Sequence, residues 1–126
     1  MKNNKYILLF ILLATSFNAL DAQSRKQKGL IKLAKQEFNQ LRFAYAIPVI
    51  KKYLLTEPKD TSALLLLAKS YQNVNQIDSA EKYYDLSCLH GVKYNSDMAE
   101  AYAILGNYDK AINIYKEIID SNKTKL

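Results

Sequence analysis

The chain has no tryptophan, one cysteine, one histidine, two prolines and three glycines among its 126 residues. Each shortage removes a class of chemistry. A lone cysteine, Cys88, forbids an intrachain disulfide. The lone histidine, His90, lies two residues further on. At that spacing on a helix the two side chains point roughly 200° apart, so they cannot share a metal; His90 instead suits the negative end of a helix dipole. Three scattered glycines form no phosphate-cradling loop. There are two arginines, Arg25 and Arg42, and the lysines are spread along the chain, so the net charge of +6 lacks the clustered stripe that nucleic-acid binding requires. No constellation of catalytic, cofactor-binding or metal-ligating residues emerges, and neither an enzyme nor a cofactor is expected. The length has room for one domain.

Long apolar runs are also lacking. The longest unbroken one, Tyr6 to Ala14, is less than half of the roughly 20 residues a membrane-spanning helix needs. Lys2 and Lys5 precede it and a small-residue tail from Thr15 to Gln23 follows, the pattern of a secretory signal peptide with cleavage after Ala22. An uncleaved N-terminal anchor is the alternative. Without Lys2, Lys5 and Asp21, the 18 basic and 12 acidic residues become 16 and 11, net +5. The expected organisation is a signal peptide over residues 1–22 and a helical domain over 23–126, exported to the periplasm or the outer membrane, with no transmembrane segment in the mature chain.

What the chain does have is helical periodicity. Ser24 and Gln27 have capping-box spacing and predict a helix start, with Leu30, Leu33, Ala34, Phe38 and Leu41 on one face. A second helix carries Phe43, Ala46, Ile47, Ile50 and Tyr53, with Pro48 predicting a kink. Asp60 is placed to cap a third helix, Thr61 to Val74, with Leu64, Leu67, Ala68 and Tyr71 inward. Ile77, Ala80, Tyr84 and Ser87 mark a fourth, ending in a left-handed cap at Gly91. Met98, Ala99 and Tyr102 belong to a fifth. Tyr108, Ala111 and Tyr115 belong to a sixth, with Tyr115 a core position like Tyr71, Tyr84 and Tyr102, running to about Ser121 and followed by a polar tail. Ala34, Ala68 and Ala99 recur once per first helix, and Ala46, Ala80 and Ala111 once per second. Small residues at that period mark where paired helices cross closely. The second-helix alanines are 34 and then 31 residues apart; the shortfall is assigned to a trimmed fourth helix. The reading is all-α: six helices forming three helix-turn-helix repeats at about 27–60, 61–91 and 92–123.

These residues resemble tetratricopeptide repeats, whose period is 34 residues. The family's small first-helix position is met by Ala34, Ala68 and Ala99, its first-helix aromatic by Tyr71 and Tyr102, its turn glycine by Gly106 and its closing proline by Pro58. The resemblance implies a short solenoid acting as a non-enzymatic scaffold for a protein or peptide partner. A narrower one covers Ala46-Ile-Pro-Val-Ile-Lys-Lys-Tyr53, Leu67-Ala-Lys-Ser-Tyr71 and Ala99-Glu-Ala-Tyr-Ala-Ile-Leu-Gly-Asn-Tyr108. It is similar to the N-terminal region of exported Bacteroidetes proteins of the OmpA family, linked to gliding and type IX secretion. That likeness implies, as an alternative, the first part of a larger peptidoglycan-anchored envelope protein.

Two surfaces are candidates for binding. Lys35 and Asn39 recur as Lys69 and Asn73 in the same register of successive first helices. A lysine and an amide stacked in this way suit a carboxylate or an acidic peptide, although a lysine- and asparagine-rich surface also produces such pairs by coincidence. The sixth helix has a wide apolar arc and no capping element after it. Ile114 and Ile118 are the residues expected to face an absent neighbour, marking a surface for a partner or for self-association.

Overall fold

The computed structural model describes residues 3–124; Lys2 of the basic start and the last two residues of the tail lie outside them. Six helices follow in order: α1 (Asn3–Asn39), α2 (Phe43–Leu54), α3 (Thr61–Asn73), α4 (Ile77–Leu89), α5 (Ser96–Ile104) and α6 (Tyr108–Lys123). They pair as three antiparallel hairpins, each packed against the next, and no strand occurs among the described residues.

The turns explain the boundaries. A helix leaves its last carbonyls without partners, and a residue in the left-handed region lets the chain fold back and satisfy them. Leu41, Asn75, Gly91 and Gly106 all have positive φ. In each case the next residue's N–H returns to a carbonyl five positions back, as in Arg42 to Glu37 at 2.9 Å and Asn107 to Tyr102 at 2.9 Å. Asp60 caps α3 by accepting from the Ala63 N–H at 3.0 Å, and Asn95 caps α5 from Met98 at 3.1 Å. Leu41 is the misfit, a bulky side chain at φ 60 and 74% exposed. An L-residue there is strained by about 1–2 kcal/mol, and glycine is not. Leu41→Gly is therefore expected to stabilise the fold by about 1 kcal/mol, net of glycine's greater freedom when unfolded; the urea midpoint checks it.

Three local expectations are corrected. The first helix does not begin at Ser24 but continues unbroken back to Asn3. Gln27 Oε1 consequently has no partner, rather than closing a capping box. Residues 3–20 of this helix are exposed, and by length and composition alone it could cross a bilayer, a property that secretory leaders share. Pro48 does not interrupt α2. The three-residue shortfall is not in α4, which has 13 residues like α3, but in α5, which has 9. The Asn95 cap starts α5 three residues before Ala99, whereas Thr61 lies seven before Ala68.

The core forms two clusters, one between each pair of successive hairpins. The first holds Ala34, Ala46, Ile50, Tyr53, Ala63 and Leu67; the second holds Ala68, Ala80, Tyr84, Met98, Ala99, Ala101, Tyr102, Ala111 and Ile114. All six crossing alanines are buried. A simple register follows. In a second helix, the residue four after the alanine faces the following hairpin, as Ile50 and Tyr84 do. The residue three after it reaches toward the preceding one, as Tyr83 does, packed against the first cluster and stacked on Tyr71 of its own hairpin with ring centroids 5.6 Å apart. In a first helix, the residue before the alanine faces backward: Leu67 lies in the first cluster with Ile50.

Candidate interaction faces

The first helices of the hairpins place Lys35 and Asn39 on α1 beside Lys69 and Asn73 on α3. Lys35, Asn39 and Asn73 are exposed. Lys69 is not free: its Nζ lies 2.6 Å from Asp97 Oδ2 on α5, and Asn73 Nδ2 donates to the Lys69 carbonyl at 2.8 Å. The third hairpin has Glu100 and Ile104 in the register of Lys35/Lys69 and Asn39/Asn73, so the basic row does not continue. Asp97, two residues before Ala99, stands where the earlier first helices have Lys32 and Leu66, so the repeat pattern gives no sign of it.

Lys35 also acts on the loop between the first two hairpins. Burial pushes the Asp60 carboxyl up, but a hydrogen bond from the Tyr53 hydroxyl (2.7 Å), backbone N–H groups and the charge of Lys35 outweigh it and leave Asp60 below the usual carboxylate range. The same bond, with burial, lifts the Tyr53 hydroxyl to about 12. This pair ties the loop down as α3 begins.

The sixth helix differs from expectation. Ile114 is buried in the second cluster, because three residues after Ala111 is the backward-facing register; Ile118 is half-buried. Neither forms the outward strip. Tyr115, expected in the core, is 43% exposed, and Tyr108, Ile112 and Ile119 are 64%, 49% and 53% exposed. Tyr115 occupies the position of Ile50 and Tyr84, both fully buried by the hairpin that follows them. Reading the alanine register, rather than the width of the apolar arc, identifies this strip. Leu33, also expected inward, is 42% exposed for the mirror-image reason: it has the register of Leu67, and among the described residues no hairpin packs behind it.

The short α5 leaves an open groove of about 590 Å³ between α4 and α6, lined by Asp85, Cys88, Val92, Tyr94, Glu117 and Ile118 among others. Cys88 Sγ lies 3.7 Å from Met98 Sδ, and burial pushes its thiol pKa up, which leaves it poorly nucleophilic. Above the groove, Asp85 on α4 accepts from the Tyr102 hydroxyl and pairs with Lys110 Nζ at 3.0 Å; that ammonium also sits 3.9 Å from the centre of the Tyr102 ring. Burial first, then the bond to Asp85, raises the Tyr102 hydroxyl far above its ordinary value. These groups join α4, α5 and α6. Among the described residues no group of three or more His, Cys, Asp or Glu could hold a metal.

Stacked hairpins crossing at alanines, with one strip bare at each end, define a helical-repeat scaffold. Residues 61–88 and 92–125 match the family model for the tetratricopeptide repeat, so the second and third hairpins are tetratricopeptide repeats. Such repeats are non-catalytic scaffolds for protein–protein interaction. The first hairpin lies outside the matched residues and shares their alanine crossing and turn. No curated protein matches the chain. A solved structure of a MamA mutant is similar over 77% of this chain and 55% of its own, with a TM-score of 0.70 and 15% identity; a likeness at that identity concerns the fold alone.

Proposed function

We propose that this chain is an exported scaffold whose first-helix face grips an acidic protein or peptide segment, and whose last helix docks a second partner surface. The observation that carries the first part is the Lys69–Asp97 contact at 2.6 Å. A lysine on this face already takes a carboxylate, so Asp97 stands where an acidic side chain of a partner would compete. Lys35 and Asn39, exposed on the neighbouring helix, extend the grip. Export rests on the basic, apolar and small-residue order of residues 1–22, with release after Ala22 into the periplasm or at the outer membrane. The link to OmpA-family envelope proteins rests on the sequence resemblance alone.

One experiment on the chain recovered from the cell envelope tests export and the acidic grip together. N-terminal sequencing should begin at Gln23; a chain beginning at Met1 removes the export reading. Binding of a labelled hexaglutamate peptide, followed by fluorescence anisotropy, should be lost in the Lys35→Glu, Lys69→Glu variant with helicity intact. It should strengthen up to about fivefold in Asp97→Asn, since an exposed ion pair is worth about 0.2–1 kcal/mol. It should also weaken as salt rises past about 0.15 M, where charges are screened over about 8 Å. Affinity indifferent to both substitutions would mean that this face is not the site.

A further inference from the structure

The strip on α6 and the bare face of the first hairpin are the two halves of a contact that this chain already makes twice internally. At 100° per residue, Tyr115, Tyr108, Ile119 and Ile112 fall within about 60° of one another on α6. Their counterparts in the earlier second helices are covered by a first helix presenting Leu67, or Met98, at the backward-facing position. The corresponding residue of the first hairpin is Leu33. It borders an open groove of about 570 Å³ with Tyr45, Pro48 and Val49, at the end of the stack opposite α6. Val49, half-buried at the edge of the first cluster, has the register of Ile114, which packs backward, and of Tyr83, which touches both clusters.

Charge agrees with geometry. Residues 23–56 carry eight basic side chains against one acidic, Glu37, whereas residues 92–124 carry four basic against five acidic. On the helical wheel Lys26 and Lys52 share the stripes of Leu33 and Tyr45, while Asp109 and Asp120 lie to one side of the α6 strip, beyond Lys116 and Lys123.

We propose that a second copy of this chain covers the α6 strip, head to tail: Leu33 and Val49 of one copy seat on Tyr115 and Ile112 of another, continuing the solenoid by the register used within it. This deepens the docking part of the function proposed above by naming the occupant. Such a contact is heterologous, so each copy keeps one unused end and the assembly grows by addition.

The test uses residues 23–126, which retain both core clusters, since no apolar side chain before Leu30 packs against either. In sedimentation from micromolar to about millimolar concentration, the wild type should grow beyond a dimer. Leu33→Glu and Tyr115→Glu should each stay monomeric, and mixing them one to one should give a dimer and nothing larger, because one intact interface remains. Circular dichroism confirms that each variant is folded; Val49→Lys and Ile112→Lys replace any that is not. A wild type monomeric throughout overturns the proposal, as does a mixture that stays monomeric. A Leu33→Glu variant that still dimerises overturns it in favour of a symmetric tail-to-tail pair. A monomeric wild type that still binds hexaglutamate refutes the assembly while leaving the acidic grip of the first-helix face intact.

Discussion

Replacing Tyr84 by alanine is expected to cost about 3–5 kcal/mol of folding stability, the range for truncating a large buried aromatic. Tyr84 is fully buried between the second and third hairpins, and its hydroxyl donates to Gln72 Oε1 at 2.6 Å. Truncation opens a cavity at the inter-hairpin seam and leaves the amide oxygen unpaired. Tyr84→Phe, which removes only the hydrogen bond, should cost about 0.5–1.5 kcal/mol. The informative control is Tyr115→Ala, the same residue type in the same register one hairpin later. Being 43% exposed, it should change stability of the monomer by about 0.5 kcal/mol or less. Equal losses at the two positions in chemical denaturation would show that the alanine register does not decide which side chains the next hairpin covers.

Ala80→Leu should destabilise by about 1–3 kcal/mol for the opposite reason, added volume where none is available. Ala80 is fully buried and shares its cluster with Ala68, its crossing partner on α3, and with Tyr84. Three extra carbons there force the α3–α4 pair apart or push Tyr84 off its rotamer. In a domain whose whole stability is about 5–15 kcal/mol, this is a visible fraction. The control is Ala44→Leu on the exposed side of α2, expected within about 0.5 kcal/mol of wild type. A thermal melt unmoved by Ala80→Leu would place the helix crossing elsewhere.

Much of this architecture was legible in the residues themselves. The six alanines located the crossings because a close approach tolerates only small side chains, a constraint local to the contact. Asp60 as a cap and Gly91 and Gly106 as left-handed turns were readable because those conformations admit few residue types. The sites were harder. Ile114 and Tyr115 are adjacent and both apolar, and whether either is covered depends on which hairpin lies on which side, a tertiary fact. The Lys69–Asp97 pair depended on where α5 begins, which Asn95 decides and the repeat period does not. Ser24 and Gln27 had the spacing of a cap, but the helix-favouring sequence before them simply continues through.

Every substantial contact between helices joins neighbours in the chain, each helix with the next, apart from a smaller one between α1 and α3. Low contact order of this kind belongs to chains that fold in microseconds to milliseconds. A hairpin can close as soon as its own two helices are available, without waiting for the far end of the polypeptide. Unfolding shares this locality, so the stack should loosen from its ends by whole hairpins rather than collapse at once. The third hairpin, with its shortened α5 and its polar tie through Asp85 and Lys110, is the natural place for that fraying to start. Amide protons of α5 and α6 would then exchange with solvent ahead of those in α3, making the bare end of the molecule also its most yielding one.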